Sequence, residues 1–158
     1  MLVAGATGQM GRKIVRELAA LDRADVRAMH RAGASVEAIE ALREQGDVEL
    51  VVAELDDEDA LGRACAGVDV VVSALQGLHA VLIDGQTRLL RAAERAGVVR
   101  MIPSDYALDF FRTEEGGNFN LDLRRAFART LDGSSVRGTS VLCGAFMDLF
   151  AYGAMGPD

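Results

Sequence analysis

Hydrophobic and polar positions change period repeatedly along the chain, and the changes mark out elements. Residues 2–4 (LVA) are a short apolar run that reads as a strand. Residues 9–21 place Met10, Ile14, Leu18 and Leu21 near one face, the spacing of an amphipathic helix. A second strand is predicted over 26–30. A helix follows over 35–45, with Ser35 as its N-cap and Gly46 as its stop. Residues 48–53 read as a third strand, and 57–66 as a short helix with acids in its first turn, ended by Gly67. Residues 68–74 (VDVVVSA) are almost continuously apolar and β-branched, as expected of a strand buried on both faces. One long helix over 80–96 stops at Gly97, and 98–103 form a fifth strand. A further helix spans 120–131, with Gly133 after it, and 139–143 read as a sixth strand. The stretch 104–120 between them is irregular and reads as a mobile loop. Six strands separated by helices predict an α/β domain with a parallel, doubly wound sheet.

One motif changes this from a fold to a site. Gly5-Ala6-Thr7-Gly8-Gln9-Met10-Gly11 follows a strand and opens a helix, with glycine spacing G-x-x-G-x-x-G. Gly5 permits the tight turn, Gly8 lets backbone approach a pyrophosphate, and Gly11 lets the helix pack close to the sheet. The helix N-terminus turns N–H groups and a positive dipole end toward phosphates. Strand before, helix after and a second strand downstream make this a Rossmann-type NAD(P)-binding pattern; the competing reading is a plain Gly-rich turn. The second strand ends at His30-Arg31, roughly 20 residues beyond Gly11, where an NAD site carries an acid. A guanidinium there suits a 2′-phosphate, which predicts NADP(H) in preference to NAD(H). Arg27 is a weaker second candidate, and a solvated surface arginine is the bland alternative for Arg31. Glu54 and Leu55 follow the third strand at the expected adenine edge. Ala74, Leu75 and Gln76 close the fourth strand beside the expected ribose and pyrophosphate, and Pro103 closes the fifth. Gln86 reads either as facing the pyrophosphate or, more plainly, as a helix-surface amide.

Composition narrows the partners. The chain has 158 residues, the size of one domain over 1–158, and half of them are hydrophobic. Its net charge of −7 is a poor match to nucleic acid or to an anionic membrane, though a local pocket can still oppose the global sign. Cys65 and Cys143 lie far apart in apolar runs and read as two buried free thiols, which points to a reducing, cytoplasmic setting. Two histidines and no clustered cysteines offer no metal site. The apolar stretch 138–156 is broken by glycines and Asp148 and reads as strand plus loop or helix, not as a membrane span. Both ends look cut short. The tail 141–155, with Phe146, Met147, Leu149, Phe150 and Tyr152, is expected to pack on a further region, a partner protein or a second copy of the chain.

VAGATGQMG, the strand end AMHR, VAELDD, GVDVVVSAL and IDGQTRLLRAAERAGVVRMIPSDYA together resemble the NmrA-like and isoflavone-reductase-like proteins, atypical short-chain dehydrogenases. The resemblance runs over nearly the whole chain, and the last stretch is its most specific part. It implies a nucleotide-binding portion without the C-terminal substrate region. It also implies a lysine on the helix after the fifth strand, and that position falls at Arg124. The only lysine in the sequence is Lys13, so no Tyr-x-x-x-Lys pair exists. Tyr106, Ser104 and Arg124 are then the candidates to polarise a substrate oxygen. Arginine is a poor proton donor, and a solvated helix face is the competing reading for Arg124. Two functions follow as expectations. One is an NADPH-dependent reductase of a small carbonyl, quinone or enone-type substrate. The other is a non-catalytic NADP(H)/NADP+ sensor that signals through a protein partner.

Overall fold

The computed structural model describes residues 1–21 and 23–146. Its sheet has six parallel strands: β1 (Leu2–Ala4), β2 (Val26–His30), β3 (Val48–Val52), β4 (Val70–Ser73), β5 (Arg100–Ile102) and β6 (Arg137–Gly138). The order β3-β2-β1-β4-β5-β6 is that of a Rossmann-like doubly wound fold, with its direction reversing between β1 and β4. The helices are α1 (Gln9–Ala19), α2 (Val36–Arg43), α3 (Glu58–Cys65), α4 (Gln86–Arg95) and α5 (Phe119–Asp132).

Strand alternation sorts the core into two layers. Leu2, Ala4, Met29 and Val71 point into a cluster with Leu61, Ala64, Leu89, Ala93 and Phe127, which puts α3, α4 and α5 on one face. Val3, Val26, Ala28 and Val72 point the other way, against Val15 and Leu42 of α1 and α2. Right-handed crossovers on either side of the switch require this division. Ser35 and Asp57 cap α2 and α3 through bonds from Ala38 and Ala60 N–H. Gly46, Gly67 and Gly97 stop three helices with positive φ, at +115°, +69° and +75°.

Four expectations need correction. The buried line of α1 is Gly11 and Val15, while Leu21 lies past the helix end and is exposed. The helix expected over 80–96 is a π-helical stretch, Ala80–Gly85, running into α4. The sixth strand is Arg137–Gly138, not 139–143. Its partner β5 runs into Pro103, which has no N–H to continue a ladder, and the last bond is from Thr139 N–H to the Met101 carbonyl. The loop over 104–120 is tied down: it contains the turn Phe110–Arg112, and Arg125 bonds to carbonyls of Phe110 and Thr113 within it. The expected packing of the tail concerns 141–155, of which residues from Met147 onward lie outside the described residues.

Candidate functional site

The predicted cofactor residues gather along one edge of the sheet, at the carboxyl ends of β1, β2, β3, β4 and β5. The glycine loop leaves β1 at the switch point. Gly5 has φ +78°, and a Cβ there would stand 2.8 Å from the Ala74 carbonyl oxygen. Only glycine allows that turn to lie against the end of β4. A Cβ on Gly11 would fall 2.1 Å from the Gly5 oxygen and 2.8 Å from the Ala6 Cα, so α1 sits directly on its own loop. Gly8 is different. It is exposed, and its Cβ would meet only the Gly5 oxygen, at 3.3 Å. Gly8 is also the N-cap of α1, with no side-chain cap and no acid in the first turn, so the positive end of the helix opens onto the loop mouth. Thr7, Gln9 and Met10 lie around that mouth. This cradle fits a diphosphate: narrow where glycine lets backbone pack and open where a phosphate would enter.

The second strand end is organised by a bond that the sequence did not suggest. Glu54 Oε1 accepts the Ala32 N–H at 2.8 Å, tying the turn after β2 to the end of β3. His30 is buried, with Nδ1 3.0 Å from the Arg31 carbonyl oxygen, and Arg31 is exposed beside it. Glu54 therefore holds the Arg31 turn, with Leu55 half-buried behind it. Arg27 is a correction. It lies near the start of β2, where it pairs with Glu49 at 2.8 Å and donates to the Ala64 and Ala66 carbonyls, away from the strand ends.

A chain of bonds joins the ends of β4 and β5. Ser104 Oγ donates to the Leu75 carbonyl at 2.6 Å, and Ser104 N–H donates to Gln86 Oε1 at 3.1 Å. Gln86 Nε2 donates to the Leu82 carbonyl in the π-helical stretch, at 2.9 Å. Gln86 is thus a buried brace, not a surface amide, and the Ser104 proton is committed to backbone. Gln86→Leu leaves the buried Ser104 N–H without its acceptor and removes the donor to the Leu82 carbonyl, and is expected to cost about 2 kcal/mol in a urea unfolding curve. An unchanged midpoint would remove the brace from the account.

Beyond this brace stand Asp105, Tyr106 and Arg124. Asp105 is fully buried. Its Oδ2 accepts from Ser140 Oγ at 2.6 Å, while Oδ1 has no partner. Burial raises its pKa, against the pull of Ser140 and Arg124. The Tyr106 hydroxyl is buried without a partner, and burial, then the Asp105 and Cys143 charges, push it up to about 12. Such a phenol keeps its proton near neutrality and acts as a hydrogen-bond donor. Burial lowers the Arg124 pKa and Asp105 opposes that shift. Because the folded value of Asp105 is raised, the native state holds this proton more tightly than the unfolded chain. Stability therefore falls as pH rises from the ordinary value of 3.8 through the folded value. Asp105→Asn removes this titration, so its melting temperature relative to the unchanged protein should climb as pH rises above about 4. A pH-independent difference would contradict the raised value.

Sequence reasoning missed Asp105, Gln86 and Arg125 as organising residues. Each is polar and buried by tertiary contacts, which periodicity does not encode. Asn118, the cap of α5, had a signal: an Asn just before a helical pattern. Cys65 is buried, its thiol pushed up to about 11 by burial, but Cys143 is exposed, against expectation; both are free. Among the described residues no cluster of three metal-ligating side chains occurs, and no helix is long and apolar enough to cross a membrane.

Comparisons with known proteins bear on the same frame. A bifunctional pinoresinol-lariciresinol reductase of Linum album is 33% identical over 171 residues, covering 99% of this chain and 51% of that protein. A solved structure, AtPrR2 with NADP+ and (+)pinoresinol, superposes with TM-score 0.83 at 26% identity over 99% of this chain and 54% of its own. The NADPH-dependent quinone oxidoreductase QOR2 of Escherichia coli, complexed with NADPH, shares the fold, with TM-score 0.81 at 22% identity over 98% and 52%. The chain spans about half the length of the curated relatives it matches. The NmrA-like family model matches residues 1–147, a range that takes in the glycine loop, the Arg31 turn and the Asp105–Arg124 cluster. On that match, and on a strand order and switch point that agree with it, the chain belongs to the NmrA-like family.

Proposed function

We propose that the chain binds NADP(H) at the switch point and serves an NADPH-dependent oxidoreductase acting on a small carbonyl, quinone or enone-type substrate. The observation that carries this reading is the glycine cradle, closed at Gly5 and Gly11 and open at Gly8, facing the uncapped end of α1. The relatives' reductase names and the NADP+ in the structure at 26% identity support it. In this reading Gly5, Thr7, Gly8, Gln9, Met10 and Gly11 hold the diphosphate. His30 and Arg31 take the 2′-phosphate, which favours NADP(H) over NAD(H). Leu55 borders the adenine, with Glu54 bracing the Arg31 turn. Ala74, Leu75, Gln76 and Pro103 line the path toward the nicotinamide. When bound, the cofactor supplies hydride. Tyr106, as a protonated phenol, and Arg124, as a cation, orient and polarise the acceptor oxygen, and Ser104 keeps the β5 end in register.

A second reading is a non-catalytic NADP(H)/NADP+ sensor that regulates a protein partner in a reducing, cytoplasmic setting. What favours it is the single lysine, Lys13 on α1, with Arg124 where the resemblance puts the reductases' lysine. Absorbance assays with a panel of quinones and enones separate the two. The reductase reading expects NADPH consumption that depends on the acceptor. Tight NADPH binding without consumption for any acceptor favours the sensor.

A further inference from the structure

Both peptide units that flank Arg31 are held by bonds from β2 and β3. The carbonyl of the first, that of His30, accepts the N–H of buried Ala53 at 3.0 Å. The second joins Arg31 to Ala32. Its oxygen accepts the Ala34 N–H at 3.1 Å, which closes the turn, and lies 3.0 Å from His30 Nδ1. A carbonyl can only accept, so Nδ1 carries the proton in that contact. The N–H of this second unit donates to Glu54 Oε1 at 2.8 Å. The base of the Glu54 side chain is fixed as well, because the Glu54 carbonyl accepts the Asp57 N–H at 3.2 Å. With both flanking peptides fixed, the Arg31 side chain leaves the backbone in one direction. Arg31 is exposed, and among the described residues no carboxylate stands within 4.0 Å of it. Glu54 therefore spends its oxygen on the turn and forms no ion pair that would occupy the guanidinium. A long, rotamer-rich side chain closes on a ligand more favourably when its anchor is already fixed.

We propose that Glu54 is a positioning residue for dinucleotide selectivity. By accepting the Ala32 N–H it presents Arg31 to a 2′-phosphate, so the preference for NADP(H) over NAD(H) depends on the acceptor at residue 54 as well as on the guanidinium. Resting on the NADP(H) reading, this adds a residue that acts through Arg31 rather than on the ligand. The role needs the acceptor and not the charge. Glutamine offers the same Oε1, and alanine offers nothing.

Isothermal titration calorimetry with NADPH and with NADH reads selectivity as the ratio of the NADH to the NADPH dissociation constant. Glu54→Ala is expected to lower that ratio by about fivefold, the worth of one net hydrogen bond, through weaker NADPH binding with NADH binding unchanged. Glu54→Gln should keep the ratio. In an Arg31→Ala background Glu54→Ala should change nothing, because the side chain it positions is gone. An unchanged or higher ratio in Glu54→Ala would overturn the assignment, a higher one meaning that the carboxylate only repels the 2′-phosphate. So would a loss in Glu54→Gln equal to that in Glu54→Ala, or a Glu54→Ala effect that persists without Arg31. If the unchanged protein prefers NADPH, and that preference needs Arg31 but survives Glu54→Ala, the NADP(H) reading stands and the role of Glu54 falls. Binding of neither dinucleotide, or equal binding of both, would overturn the two together.

Discussion

Gly11→Ala is expected to destabilise the protein by about 3 kcal/mol and to lower its melting temperature by roughly 6–12 °C. The added methyl would stand 2.1 Å from the Gly5 carbonyl oxygen and 2.8 Å from the Gly5 carbonyl carbon and the Ala6 Cα. All three are backbone atoms, so no rotamer change relieves the clash. The first turn of α1 must lift from the loop, and Val15, fully buried on the same helix, must shift with it. The loop that moves is the proposed diphosphate cradle, so NADPH affinity should fall together with stability. Gly62→Ala is the internal control. It lies inside α3, its Cβ would meet nothing within 4 Å, and alanine is the better helix former by about 1 kcal/mol. The two Gly-to-Ala changes should therefore differ in sign. A Gly11→Ala protein that melts with the unchanged one would mean that close helix–loop packing is not why glycine stands there.

Arg125→Met carries the second large effect, about 3 kcal/mol of lost stability. Arg125 Nη1 pairs with Asp122 Oδ1 at 2.6 Å. Its Nη2 serves the Phe110 carbonyl, and the Thr113 carbonyl and hydroxyl at 2.9 Å each. Methionine fills much of the volume but leaves the Thr113 carbonyl and Asp122 Oδ1 without the Arg125 donor, which is the costly half of breaking a buried network, while the Phe110 carbonyl keeps its bonds from Thr113. The loss is also local. Freed from Arg125, Phe110 and Thr113 lose their bonds to α5, and the segment is then held to that helix further on, by Gly116 N–H to Asp122 and by the Arg129–Glu115 pair. Trypsin should then cut after Arg112 faster than in the unchanged protein, under conditions where both remain folded. Equal cleavage and an unchanged unfolding midpoint would contradict the assignment of Arg125 as the anchor of this loop.

These residues show how far local pattern reaches. Residues 2–4 and 26–30 are strands with the bounds their apolar runs predict, because central parallel strands need apolar side chains on both faces. Ser35, Gly46, Gly67 and Gly97 act as caps and stops because capping is decided within a few residues, while Asp57, read as the first helical residue, is the N-cap of α3. The cradle was legible for the same reason: glycine spacing, strand and helix are contiguous. The π-helical stretch was not legible, since an apolar pattern of helical length does not reveal a wider turn. The sixth strand was displaced because its extent depends on β5, a distant segment ending at Pro103. Arg125 and Asp105 are charged residues on pages of sequence that look solvated. Only the fold buries them, and only then do their bonds become necessary.

In the proposed function the switch-point cradle and the Arg31 turn together form one NADP(H) site. Thermal melting of the protein with NADPH, NADP+, NADH and no ligand tests it most directly. A ligand at 100 times its dissociation constant adds about 2.7 kcal/mol of stability to the state that binds it. A clear rise is expected with NADPH and NADP+, a much smaller one with NADH, and loss of that discrimination in Arg31→Ala. No rise with any dinucleotide, or an equal rise with NADH, would contradict it.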